Sequence, residues 1–134
     1  MKSSVPKVLQ PICGREMVGL VADALRGAGL HDLVAIVPPH SPDLGGAIGP
    51  EATLVEQAEP LGTAHALSQA KALLGNYRGN ILVINGDVPL VTSCTLSAMK
   101  AHHESTQGHL TLLTSIGGPS EGLGRVMRGE NGDV

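Results

Sequence analysis

The sequence predicts an α/β fold in which helices cover both faces of a mostly parallel sheet. Short apolar runs of strand length alternate with longer segments whose apolar residues recur every three to four positions. Strands that alternate with helices are joined by crossover connections, which place the helices on the faces of the sheet. With 134 residues, the chain is predicted to be one domain.

Three elements are predicted before residue 58. Four apolar residues at helical spacing, followed by two glycines as stop signals, predict a helix over residues 15–30. An apolar run that two prolines interrupt predicts a buried strand at 33–37. Glycine and proline predict a loop at 38–50 with one helical turn around Leu44, and residues 52–57 form a weaker predicted strand.

A second helix is predicted to open at Gly62 and Thr63, with the Thr63 hydroxyl as its N-cap. The apolar residues 80–84 are predicted to form a strand buried on both faces.

The remaining elements are less regular. A helix is predicted at 92–103 with Leu96 and Met99 facing inward, and a strand at 109–114. Residues 125–127 and the turn at 130–133 are typical of half a hairpin.

Composition excludes several classes of partner. A formal charge of -3, without a block of Lys or Arg and with one aromatic residue, argues against a nucleic-acid partner. Cys13 and Cys94 are too few for a disulfide scaffold or a thiolate metal site, and we interpret them as small buried apolar residues. The sequence has no apolar run of about 18 residues, so we expect no membrane contact and a cytoplasmic location.

Asp87 is the first candidate for chemistry. It follows the predicted strand at 80–84, at the carboxyl end of a sheet, where open α/β folds bind ligands. Mg²⁺ prefers oxygen ligands and commonly joins a protein carboxylate to substrate phosphates. Asp87 is therefore a predicted Mg²⁺ ligand, with a helix or loop cap as the alternative.

Lys7 and Gln57 are candidates for binding a nucleotide. Pro6 stiffens a short extended segment in which the Lys7 ammonium can face a phosphate, although this position by itself favours a solvated surface lysine. Gln57 offers one acceptor and one donor, which match the imide edge of uracil; an exposed turn residue is the alternative.

Two glycines and a threonine complete the candidates. Gly62 lets the backbone approach a flat ligand and Thr63 begins a helix whose N-terminus favours anions, although an ordinary turn fits both residues. Gly124 would allow close approach to a sugar at the start of a strand, with a plain strand start as the alternative. His65 is interpreted as a core-edge residue, and the adjacent histidines at 102 and 103 as surface residues.

No nucleophile elbow, P-loop or dinucleotide-binding glycine motif is present in the sequence. From the residues alone, the prediction stops at an α/β protein that binds a nucleotide phosphate.

Five segments together resemble a known family, namely residues 1–9, 14–17, 57–67, 85–90 and 124–126. They are similar to the uridyltransferase domain of the bifunctional N-acetylglucosamine-1-phosphate uridyltransferase/glucosamine-1-phosphate acetyltransferase. The motifs Q-A-E-P-L-G-T-A-H-A and G-D-V-P-L carry most of the resemblance.

The resemblance implies a three-layer, Rossmann-like nucleotidyltransferase fold. It implies transfer of UMP from UTP to N-acetylglucosamine 1-phosphate, with release of pyrophosphate and Mg²⁺ as cofactor. By the same resemblance, Lys7 contacts phosphates and Asp87 holds Mg²⁺ as the catalytic pair. Gln57 and Gly62 read uracil, Thr63 supports their pocket, and Gly124 lines the sugar site.

The family also has elements that this sequence lacks. Its first strand and a glycine-rich loop would precede Met1, and its C-terminal part would follow Val134, so we expect a partial nucleotidyltransferase domain over residues 1–134. One alternative is a non-catalytic fragment that binds nucleotide weakly or needs a homo-oligomer or a completing chain. Another is a nucleotidyltransferase with a different acceptor, either another sugar phosphate or a molybdopterin.

Overall fold

The computed structural model describes residues 5–115 and 126–131. A 3-10 turn at Lys7–Leu9 comes first. It is followed by β1 (Pro11–Ile12), β2 (Arg15–Glu16), α1 (Met17–Gly27), β3 (Val34–Val37), α2 (Pro42–Ile48), β4 (Thr53–Glu56), α3 (Thr63–Gln69), α4 (Lys71–Leu74) and α5 (Ser93–Thr106). The predicted α/β class is confirmed.

A parallel strand pair forms the centre of the fold. Strands β3 and β4 run side by side with Val34 opposite Thr53 and Val37 opposite Glu56. The ladder continues past β4, because the backbone N–H of Gln57 donates to the carbonyl of Val37 at 2.8 Å. Both predicted strands are therefore confirmed.

The connection between these strands is more helical than the sequence predicts. Instead of one turn in a loop, residues Pro42–Ile48 form a seven-residue helix with proline in its first turn. Leu44 and Ile48 are buried, and burial of these two side chains stabilises the extra helical length. The helix also lies close to β4, since a Cβ placed on Gly45 would be 2.9 Å from Cδ1 of Leu54. The result is a β–α–β unit.

Helix α1 starts two residues later than predicted because Arg15 and Glu16 pair with β1 in a short antiparallel hairpin. The turn of this hairpin has Cys13 at φ 50° and Gly14 at φ 82°, a conformation that favours glycine and was not recognised in the sequence. The helix ends at Gly27, the first of the two predicted stop glycines and three residues before the predicted end, and the N–H of Leu30 donates to the carbonyl of Leu25 at 3.0 Å.

The core draws its side chains from α1, β3, α2, α5 and the junction of α3 with α4. Its most buried residues are aliphatic, as the composition predicts: Val21, Ala22, Val37, Leu44, Ile48, Ala70 and Leu96. Helix α5 packs against α1 so closely that a Cβ placed on Gly27 would lie 3.0 Å from the Cβ of Ser93. The predicted inward position of Leu96 is confirmed, since this residue is 1% exposed.

Two predicted strands are absent from the described part of the chain. Residues 80–84 and the described backbone of 109–114 have no strand pairing. Ile81 and Val83 are 50% and 51% exposed, so the predicted burial on both faces is wrong. Apolar composition favours a strand, but a strand forms only where a neighbouring backbone supplies hydrogen bonds.

Three smaller predictions are corrected. The predicted N-cap is wrong: Thr63 is the first residue of α3, whereas Gly62 holds the cap position without a side-chain bond. Cys13 and Cys94 are exposed, because one lies in a hairpin turn and the other on the outer side of α5. His103 is half-buried, and its Nδ1 lies 2.9 Å from Oγ1 of Thr111.

The described residues contain no helix that is long and apolar enough to cross a membrane.

Candidate functional site

The two predicted catalytic residues, 80 positions apart in sequence, form an ion pair. Nζ of Lys7 donates to Oδ2 of Asp87 at 2.7 Å. The Lys7 side chain is 59% exposed and that of Asp87 36% exposed, so the pair faces solvent. Both groups are therefore accessible to a ligand.

Apolar packing beside the pair explains why it forms. Gly86 lies against Val8 and Val18: a Cβ placed on Gly86 would be 3.4 Å from Cγ2 of Val18 and 3.6 Å from Cγ1 of Val8. Because Val8 follows Lys7 and Gly86 precedes Asp87, this contact brings the two charged neighbours together. A Cβ at position 86 would make ordinary van der Waals contact with both valines.

Lys7 does not lie in the predicted extended segment. It begins a 3-10 turn in which the N–H of Gln10 donates to the Lys7 carbonyl at 3.1 Å. Pro6 is extended, with φ -52° and ψ 144°, so the expected stiffness applies to the residue before Lys7. The turn fixes the backbone from which the lysine side chain extends.

The charge of Asp87 is stabilised by its partner. The hydrogen bond from the Lys7 ammonium, helped by its positive charge and opposed by partial desolvation, lowers the pKa of Asp87 below the ordinary value of 3.8. Asp87 is therefore an ionised carboxylate near neutral pH.

An ionised, half-exposed carboxylate fits the donor preference of Mg²⁺. The described residues contain no cluster of three or more His, Cys, Asp or Glu side chains that could form a metal cage. Mg²⁺ does not need such a cage, since it commonly uses one or two carboxylates together with waters and substrate phosphates. The chemistry of Asp87 is thus compatible with the predicted metal role.

A second set of predicted residues lies at the end of β4. The side chain of Gln57 contacts His65 on α3, with 2.7 Å between Nε2 of the glutamine and Nδ1 of the histidine. Nε2 of Gln69 lies 3.2 Å from the other ring nitrogen. His65 is therefore part of the candidate site, a role that the sequence analysis missed and that its i+8 spacing from Gln57 alone does not reveal.

Gly62 and Thr63 lie between Gln57 and His65 in sequence. Gly62 has φ 100° and ψ 175°, a backbone conformation that residues other than glycine rarely adopt. A Cβ at this position would meet nothing within 4 Å, so the conformation itself explains the glycine. Gly124, the predicted sugar-site residue, lies outside the described residues.

An open depression of about 830 Å³ lies between α1 and α2 and is lined in part by Arg26, Gly49 and Glu51. None of the predicted site residues lines it. Nη2 of Arg26 donates to the carbonyl of Ile48 at 2.6 Å, so this arginine joins the two helices.

A parallel β–α–β unit, together with a lysine and a carboxylate that meet at the surface on segments outside this unit, is compatible with an α/β protein that binds nucleotide phosphates. The chain belongs to the family of MobA-like NTP transferase domains, which matches residues 1–129. It is a nucleotidyltransferase-type α/β domain.

Relatives of known name support the same placement. The Bifunctional protein GlmU of Bacillus licheniformis is 44% identical over 134 residues, which are 100% of this chain and 29% of that protein. GlmU of Clostridium tetani is 42% identical over 137 aligned positions, covering 100% of this chain and 30% of that protein. GlmU of Brevibacillus brevis is 40% identical, with 100% and 29% covered.

These matches confirm the predicted resemblance. The chain spans less than a third of the length of the GlmU proteins that it matches.

Proposed function

We propose that this chain supplies the nucleotide-binding and metal-binding residues of a sugar-phosphate uridyltransferase. The reaction would transfer UMP from UTP to N-acetylglucosamine 1-phosphate and release pyrophosphate. The observation that carries the proposal is the 2.7 Å contact between Lys7 and Asp87, two residues from separate family motifs.

The proposed chemistry needs alignment and charge neutralisation, since the acceptor phosphate attacks the α-phosphorus without a covalent protein intermediate. Lys7 can turn from Asp87 to a phosphate oxygen at little desolvation cost because its side chain is 59% exposed. Its ammonium would then offset negative charge on the triphosphate.

Asp87 would hold Mg²⁺ through its carboxylate oxygens. When bound, the ion would neutralise phosphate charge and help to align the phosphate groups. The lowered pKa of Asp87 supports this role, because the ligating form of the side chain is already present near neutral pH.

Gln57 would read the base. Its backbone is fixed by the bond to Val37, and its half-buried side chain extends from the carboxyl end of β4. The Gln57 amide can pair with the imide of uracil, while Gly62 and Thr63 would shape the same pocket and Gly124 would face the sugar.

The test is release of pyrophosphate from UTP and N-acetylglucosamine 1-phosphate with Mg²⁺. It is measured on the 134-residue chain and on the cellular protein, that is, the protein as the cell makes it with residues 1–134 included. We expect Asp87→Ala to lower turnover by the cellular protein by about 10²-fold or more, the scale seen when a charge-stabilising group is removed. The matched control is Asp23→Ala, which removes another exposed, ion-paired carboxylate.

Unchanged turnover in the Asp87→Ala protein would contradict the metal role. A panel that replaces the acceptor by other sugar phosphates and a molybdopterin tests the substrate class. If one of these acceptors gives faster turnover than N-acetylglucosamine 1-phosphate, that acceptor is the substrate and the proposed acceptor is wrong.

A further inference from the structure

His65 lies between two glutamine amides, and all three side chains are half-buried. Its Nδ1 is 2.7 Å from Nε2 of Gln57, and its Nε2 is 3.2 Å from Nε2 of Gln69. An amide nitrogen only donates hydrogen bonds, and a neutral imidazole can accept at only one of its two nitrogens. The two contacts therefore cannot both be hydrogen bonds to a neutral ring.

Gln69 has acceptors other than the ring of His65. The two amide hydrogens of Gln69 have separate acceptors in the carbonyl of His65 at 3.2 Å and Oγ of Ser68 at 3.3 Å. Gln57 has the shorter contact to the ring. The shorter contact is consistent with a hydrogen bond in which Nε2–H of Gln57 donates to Nδ1 of His65, the tautomer that has its proton on ring Nε2 and no hydrogen bond from Gln69 to the ring.

This hydrogen bond matters because a glutamine amide can present its oxygen and nitrogen to a base in either of two orders. Rotated by 180°, a glutamine exchanges its oxygen and nitrogen and can match either the N3–H and O4 of uracil or the N3 and amino group of cytosine. A bond from one N–H of Gln57 to His65 removes that freedom. The oxygen and the second N–H then keep one order toward the base.

We infer that His65 is a positioning residue that fixes the amide of Gln57 and thereby makes the base site select uracil over cytosine. The inference rests on the proposed role of Gln57 in reading the base. It adds a residue that touches no substrate itself and acts through the orientation of another side chain.

The test compares dissociation constants for UTP and CTP, measured by titration calorimetry on the cellular protein that carries residues 1–134. In His65→Phe, which keeps a ring but cannot accept, the preference for UTP should fall by about tenfold, the discrimination of one ordinary hydrogen bond. His65→Asn, whose side-chain oxygen can accept from Gln57, should retain most of the preference. The control is His102→Phe, on the exposed side of α5, which should leave the preference for UTP unchanged.

The outcomes separate the two ideas. A parent protein that binds CTP as tightly as UTP contradicts the proposed base reading. If the parent protein prefers UTP and folded His65→Phe prefers UTP by the same factor, only the positioning role of His65 is overturned.

A second measurement does not depend on the variants folding. Nitrogen-15 NMR of the parent protein should show His65 with a proton on Nε2 and a bare Nδ1. A proton on Nδ1 would refute the assigned orientation of Gln57, whichever nucleotide is preferred.

Discussion

The contact between Lys7 and Asp87 predicts a large effect on activity with a small effect on folding. We consider Lys7→Met, Asp87→Asn and the double variant, which remove the charges while preserving most of the side-chain volume. The side chains are 59% and 36% exposed, and ion pairs in such solvated positions contribute only about 0.2–1 kcal/mol to stability. The coupling energy from urea unfolding of the four proteins should fall in this range and shrink as salt increases.

The pH dependence has a definite sign. The folded-state pKa of Asp87 is lowered, so its stabilising contribution is complete above the ordinary carboxyl pKa of 3.8 and is lost as pH falls through the lowered value. The free energy of unfolding of Asp87→Asn should therefore depend less on pH than that of the parent in the acidic range below 3.8. The difference between the parent and variant unfolding curves should vanish at the acid end.

Activity should respond very differently from stability. Each single variant should lose about 10²-fold in pyrophosphate release near neutral pH, far more than a change below about 1 kcal/mol in folding can cause in a protein that remains folded. Asp23→Asn provides a matched control, because Asp23 pairs with Arg15 at 3.0 Å with similar exposure. If the two aspartate variants lost activity equally, or if Asp87→Asn stayed active, the Lys7–Asp87 pair would be an ordinary surface salt bridge.

Three further predictions concern the scaffold and are checked by urea unfolding. Leu96→Ala should destabilise the chain by about 2–5 kcal/mol, since this side chain is 1% exposed; a change below 1 kcal/mol would contradict its place in the core. Gly62→Ala should cost about 1–3 kcal/mol because of φ 100°, and an unchanged midpoint would show that the turn relaxes. Thr92→Ala should cost about 1 kcal/mol by removing the acceptor for the N–H of Thr95, whereas Thr92→Ser should keep most of that stability.

Local patterns predicted the two parallel strands and the glycine stop signals of α1. The apolar run ended by Pro38 and Pro39 predicts β3, and the glycines after residue 26 predict the end of α1. In both cases, the signal is a backbone property of the residues themselves, since proline removes a donor and glycine tolerates positive φ. Such signals do not depend on the rest of the fold.

Other elements could not be predicted from local patterns. Residues 80–84 have strand composition, yet no backbone in the described residues pairs with them. The β1–β2 hairpin was missed because its turn contains Cys13 in a left-handed conformation that this residue type rarely adopts. Pairing and strain of this kind depend on what surrounds a segment.

The sequence by itself determined the family and the types of chemical group available: a lysine, a carboxylate, and a glutamine after a strand. Only the tertiary structure decided that Lys7 and Asp87 meet, and that His65 binds the amide of Gln57. The physical reason is that a side chain's chemistry belongs to its residue type, whereas its partner is set by packing. Here the packing of Val8 and Val18 against Gly86 brings Lys7 and Asp87 within hydrogen-bonding distance, and the packing of α3 beside β3 does the same for His65 and Gln57.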